Sequence, residues 1–134
     1  MAKAAAGVPV LAYHFPFVSE PGLPVSILPE LPIVGCKDSS GDIARLTEAL
    51  DSYDGHVYTG ATKLLTTAGR LGTPGVIEVF ANCYPEQAIA AFGGDEEAQA
   101  FLAPLFDEIM LDFPAAVKRL VAGRFGTSTF TRPR

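Results

Sequence analysis

Apolar positions along the chain follow two alternating rhythms. Four short runs rich in β-branched and aromatic residues read as strands: Pro9-Val10-Leu11-Ala12-Tyr13, Ile33-Val34-Gly35-Cys36-Lys37, His56-Val57-Tyr58-Thr59 and Val76-Ile77-Glu78-Val79-Phe80-Ala81. A Pro- and Gly-punctuated loop, Pro16 to Pro29, separates the first two. After the second, Ile43, Leu46 and Leu50 fall at i, i+3 and i+7 behind Asp42, a good N-cap, and predict a helix. The helix after the third run carries Leu64, Leu65 and Ala68 and is closed by Gly69 and Gly72. Pro85 suits the first turn of the next helix, which Gly93-Gly94 stops. From there the pattern is helical only. Asp95 caps a helix through Phe101, Leu102, Leu105, Phe106 and Ile109, bent at Pro104, and Pro114 to Ala122 forms the last. The Ala-rich opening before Pro9 reads as the final turn of a helix.

The strand-end residues recur at a near-constant interval: Tyr13 to Lys37 is 24, Lys37 to Gly60 is 23, and Gly60 to Asn82 is 22. That interval is one βα unit. A leucine-rich solenoid has a similar period, but its L-x-x-L-x-L-x-x-N pattern is missing and the helices here are too long for it. An open doubly wound sheet and part of a (β/α)₈ barrel share the βα grammar. Neither G-x-G-x-x-G nor G-x-x-x-x-G-K-[ST] occurs, so no motif favours the nucleotide-binding sheet. The expected fold is α/β, half of a TIM barrel in one domain: four parallel βα units within residues 1–94, helices over 95–123 and a tail over 124–134.

Composition narrows the function. A chain of 134 residues, 49% apolar and 19% charged, fits one domain able to bury a core. Its net charge of −5 argues against non-specific binding to nucleic acid or an anionic membrane, and Arg124, Arg132 and Arg134 read as a solvated end. No apolar run approaches the roughly 18 residues of a membrane span. Pro9 interrupts the apolar opening, with no small-residue cleavage site after it, so secretion is not expected. Cys36 and Cys83 make no disulfide framework, which fits a reducing cytoplasm. His14 and His56 lack metal-ligand spacing, so neither metal nor cofactor is expected.

Lys37 ends an otherwise apolar strand, where loss of hydration disfavours the charged form of an amine. A neutral lysine at the C-terminal mouth of parallel strands can attack a ketone and form an imine; the plain alternative is a lysine that snorkels to solvent. Tyr13 ends the neighbouring strand and can relay protons or simply bond the backbone. Gly60 ends the third run, where a missing Cβ admits a ligand or merely permits a turn. Ser39-Ser40-Gly41-Asp42 can cradle an anion or only cap a helix. Glu78, inside an apolar run, either faces the interior and meets a partner or marks a solvent face.

Taken together, Tyr13-His14-Phe15-Pro16, Ile33 through Asp42, Thr59-Gly60 and Gly75-Val76-Ile77 through Ala81-Asn82 resemble the C-terminal half of the dihydrodipicolinate synthase / N-acetylneuraminate lyase family of class I aldolases. The resemblance implies a TIM barrel and a lyase in which pyruvate, or a 2-oxo acid containing it, forms a Schiff base with Lys37. It implies that Tyr13 shuttles protons and that Gly60 and Ile77 lie beside the bound oxo acid. Family members that make dihydrodipicolinate carry an arginine two residues after the Y-x-x-P proline; Val18 stands there, which points instead to an aldolase of 2-keto-3-deoxy sugar acids. The family's first four βα units, with the hydroxyl pair that holds the pyruvate carboxylate and a second relay tyrosine, have no counterpart in these residues. A half-barrel leaves open strand edges and an apolar inner face. The expected state is therefore a homo-oligomer, a pairing with a complementary half, or a truncated remnant without catalysis.

Overall fold

The computed structural model describes residues 7–132; the expected helical turn at the Ala-rich opening lies outside them. Three strands form one parallel sheet in the order β1–β2–β3: β1 (Leu11–His14), β2 (Gly35–Asp38) and β3 (His56–Thr59). Five helices follow or intervene: α1 (Ile43–Ser52), α2 (Leu65–Arg70), α3 (Pro85–Phe92), α4 (Glu96–Met110) and α5 (Ala115–Phe125).

The local signals fall where the pattern placed them. Asp42 accepts hydrogen bonds from the backbone of Ala44 and Arg45, and Asp95 does the same for Glu97 and Ala98, each occupying free N–H groups at a helix start. Pro85 sits in the first turn of α3, and α4 continues through Pro104. The last helix extends to Phe125, beyond the expected Ala122, and ends at Gly126 in a left-handed conformation.

The fourth strand is where expectation and structure part. Val76 makes a single parallel bridge to Thr59, and the chain then turns into a 3₁₀ segment over Val79–Asn82. The cause is Glu78, whose side chain accepts the Phe80 N–H at 2.8 Å and so takes it away from any strand partner. The turn carries Phe80 into the interior, where it is 0% exposed. The sheet therefore has three strands among the described residues, and the expected count of four strand-bearing βα units does not hold.

Alternation along the strands sorts the sheet into two faces. Ala12, Cys36 and Val57 are register partners and join Val25, Leu28, Leu46 and Ala49 in one apolar cluster. Their neighbours Tyr13, Lys37 and Tyr58 form the next row, on the opposite face, and stay partly open. A second cluster, Leu65, Phe80, Cys83, Ala88, Ala91, Leu102, Ile109 and Ala116, lies among the later helices. Helix α2 supplies both, with Leu65 to the second and Ala68 to the first.

Candidate active site

Parallel strands end together, so side chains at their C-terminal ends converge on one rim. Tyr13 and Lys37 are register partners on β1 and β2, and the Lys37 Nζ lies 4.2 Å from the centre of the Tyr13 ring. Lys37 is half-buried, whereas Tyr13 is 56% exposed and stacks on Phe15 with ring centres 5.8 Å apart.

The row after them is buried and polar. His14, Asp38 and Thr59 are register partners, and all three are buried. Asp38 accepts the backbone N–H of Ser40 at 2.8 Å, the Ser40 hydroxyl at 2.6 Å and the Arg45 guanidinium at 2.6 Å. This fixes the turn that joins β2 to α1, immediately after Lys37. On β1 the imidazole Nδ1 of His14 accepts the Leu23 N–H at 3.0 Å and ties the following loop back to the strand. Burial, with the nearby Arg45 charge, pushes His14 below its ordinary pKa, which suits a neutral ring acting as acceptor.

Gly60 donates its N–H to the Asp38 carbonyl at 2.6 Å. A Cβ at this position would run into Ser39 Oγ and stand 2.6 Å from Lys37 Cε. Glycine is therefore what lets the lysine stem lie against this backbone. Ile77, 41% exposed, donates its N–H to the Thr59 carbonyl at 2.9 Å and follows the Val76 bridge.

All four candidate residues, Tyr13, Lys37, Gly60 and Ile77, line one cavity of about 610 Å³. That volume suits a small metabolite. Helix α4 and the turn after it bring Phe106, Ile109, Met110 and Phe113 to its wall. Lys63, also on the wall, pairs with Asp107 of α4 at 2.5 Å. The Ser39–Asp42 segment serves as a capping turn, with Asp42 bonded to the start of α1.

Three more residues line the cavity: Ser39 and Glu78, whose roles the sequence left open, and Thr62, which no local pattern singles out. Glu78 is 7% exposed, and its Oε2 accepts the Thr62 hydroxyl at 3.1 Å and the Phe80 N–H at 2.8 Å. Of the two options for this residue, the structure takes the inward one. Its other oxygen, Oε1, and Ser39 Oγ are buried with no hydrogen-bond partner.

Burial raises the pKa of Glu78, against the pull of its hydrogen bonds and the Lys37 charge. A folded-state pKa above the unfolded one adds stability that is complete below the unfolded value of about 4.5 and is lost as pH rises through the folded value. The difference in unfolding free energy between wild type and Glu78→Gln should therefore shift against wild type from pH 4 to pH 8. Urea titrations at each pH would show it, and parallel pH profiles would refute the assignment.

These features define a class: a parallel βα assembly with a lysine at the strand rim beside a tyrosine. Comparison with known proteins gives that class a family. The chain is 30% identical over 131 residues to a 4-hydroxy-tetrahydrodipicolinate synthase of Methanosarcina barkeri, covering 86% of this chain and 45% of that protein. It is 33% identical over 125 residues to a DapA-like lyase of Chloroflexus aurantiacus, covering 81% and 41%.

Among solved structures, a dihydrodipicolinate synthase from Acinetobacter baumannii complexed with pyruvate matches with a TM-score of 0.74 at 27% identity, over 88% of this chain and 47% of that one. A 2-keto-3-deoxygluconate aldolase of Sulfolobus shares the fold, with a TM-score of 0.82 at 20% identity over 93% and 47%. No family model matches the sequence. The chain is thus a relative of the dihydrodipicolinate synthases and DapA-like lyases, and it spans about half the length of the relatives it matches. This is consistent with the C-terminal half read from its motifs.

Proposed function

We propose that this chain forms the lysine-bearing half of a Schiff-base carbon–carbon lyase acting on pyruvate-type 2-oxo acids. The observation that carries the reading is the placement of Lys37 Nζ 4.2 Å from the Tyr13 ring, on the wall of a cavity shared with Gly60 and Ile77. The Lys37 amine attacks the ketone carbon and forms a C–N bond; the carbinol oxygen leaves as water, and a protonated imine remains. Its positive nitrogen draws electrons from the adjacent carbon, which allows a bond at that carbon to break or form. The Tyr13 hydroxyl moves protons between the departing oxygen and solvent. The pyruvate complex of a similar synthase supports the substrate class.

Borohydride tests this reading. It reduces an imine to a stable amine, so treatment of the chain with pyruvate and borohydride should add the pyruvate carbons to the peptide containing Lys37. Lys37→Ala should abolish the label, and the other lysines serve as internal controls. An unmodified Lys37 peptide in wild type sinks the proposal.

A second reading is a non-catalytic half-barrel, or a subunit that needs a second half or a second copy. Two observations favour it: the chain spans about half of its relatives, and Leu11, Tyr13 and Phe17 present apolar surface to solvent near β1, which is an edge strand among the described residues, as Ile77 does beyond β3. It predicts no label at Lys37 and no change in melting temperature with pyruvate. Among the described residues no helix is long and apolar enough to cross a membrane.

A further inference from the structure

The imidazole of His14 has a task that imine formation does not use. His14 closes β1 directly after Tyr13, is 6% exposed, and through Nδ1 accepts the Leu23 N–H at 3.0 Å. Between these two residues runs a loop, 15–22, that brings Phe15 and Phe17 to the wall of the Lys37 cavity. The loop's other backbone hydrogen bonds among the described residues are internal. Val18 and Ser19 donate to the Phe15 carbonyl at 3.1 Å, and Gly22 donates to that of Ser19 at 3.0 Å. The imidazole is thus what fastens the far end of the loop to the strand. Gly22 suits this contact: its φ is 77°, and a Cβ there would stand 2.9 Å from His14 Cε1. The His14 backbone is held separately, its carbonyl accepting the Ser39 N–H at 2.8 Å.

An accepting Nδ1 must carry no proton. A neutral imidazole offers one such nitrogen, whereas an imidazolium carries N–H on both and would set a second donor against the Leu23 N–H. The charges around the ring pull in opposite directions. Asp38 on β2 favours the cation, but its carboxylate already receives the Arg45 guanidinium at 2.6 Å and two hydrogen bonds from Ser40. Arg45 on α1 disfavours the cation, and so does burial; together they outweigh Asp38 and hold His14 below its ordinary pKa. The other ionisable groups near the ring are the Cys36 thiol on β2, which burial keeps protonated, and Tyr13 and Glu20, which line the groove beside β1 with His14.

We propose that His14 is a positioning residue acting as a pH-dependent latch: its neutral ring pins the 15–22 loop beside the cavity, and a proton at Nδ1 releases it. The closed loop resists that proton, while a released loop leaves the ring free to take it at about pH 6.5. Linkage then sets the direction: the latch is at full strength above about pH 6.5 and weakens as pH falls below it. Phe15 and Phe17 move with the loop, so acid loosens one side of the cavity wall and leaves the sheet in place. No step needs a ligand, and the latch stands whether or not Lys37 forms an imine.

Amide hydrogen exchange on the full chain, without ligand, tests this. The protection of the Leu23 amide, corrected for the intrinsic exchange rate, should fall about fivefold to tenfold between pH 7.5 and 5.5, as the uptake of one proton on opening requires. The Gly60 N–H, bonded to the Asp38 carbonyl, reports unfolding of the whole sheet and should be better protected than Leu23 at both pH values. His14→Asn sets an amide oxygen, which does not titrate, where Nδ1 stands. In that variant Leu23 should remain protected and lose its dependence on pH.

Three results overturn the latch: Leu23 protection that is flat with pH in wild type, protection equal to that of Gly60, or a pH dependence in His14→Asn as steep as in wild type. Should His14→Asn fail to fold, the wild-type comparison of Leu23 with Gly60 decides alone.

Discussion

Replacing Phe80 by alanine should destabilise the protein by about 3–5 kcal/mol, the range for emptying an aromatic site in a close-packed interior. The side chain is 0% exposed, clusters with Leu65, Leu102 and Ile109, and has the Tyr84 ring 6.2 Å away. Domains of this size hold together by only about 5–15 kcal/mol, so the loss is a large part of the total. Denaturant titration should show a lower midpoint. Ile89→Ala is the matched control: Ile89 lies on α3, is 73% exposed, and its truncation should change stability by less than about 0.5 kcal/mol. If the two variants melt alike, the second cluster is not the core described above. The effect would also reach the cavity, because Phe80 anchors the turn that presents Glu78.

Arg45→Met should be comparably damaging for an electrostatic reason. The Arg45 guanidinium and the Asp38 carboxylate meet at 2.6 Å with side chains only 15% and 5% exposed. Removing the cation leaves a buried carboxylate with its Ser40 hydrogen bonds but no opposing charge, and such one-sided losses cost about 3–5 kcal/mol. The double variant Asp38→Asn, Arg45→Met should recover part of the loss, since the charge that needed a partner is gone. A double variant as unstable as the sum of the two single changes would show that the pair is not coupled. Asp38 directly follows Lys37, so the single variant should also weaken trapping of pyruvate beyond what its lower stability explains.

Which parts of this structure were legible in the sequence follows from the range of the interactions that decide them. Asp42, Asp95 and Pro85 were readable because capping and first-turn preferences are settled within a few residues. The His56–Thr59 strand matched its run residue for residue, with apolar Val57 turned to the core between sheet and helices. The 3₁₀ segment at Val25–Glu30 went unseen in a stretch punctuated by Pro24 and Pro29, although Val25 and Leu28, three apart, are the pair it buries.

The fourth run misled because Val76, Ile77, Val79 and Phe80 all favour a strand locally. The residue that overrode them, Glu78, acts through a hydrogen bond to Thr62, sixteen positions away. That contact exists only once the fold is made. The same distance explains the site. Tyr13, Lys37 and Gly60 stood out from their strand-end spacing, whereas the inward turn of Glu78 and the burial of the Ser39 hydroxyl depend on neighbours that no local pattern supplies.

The sharing of helix α2 between the two apolar clusters has a mechanical consequence. Six residues act as the rivet between a sheet-side body and a helix-side body, and Gly69, whose Cα faces the Phe92 carbonyl too closely for any Cβ, is where the rivet is thinnest. Cooperativity between the bodies passes through that seam. A disturbance at Gly69 would let each body loosen on its own schedule, while one placed deep within either body would be felt first on its own side.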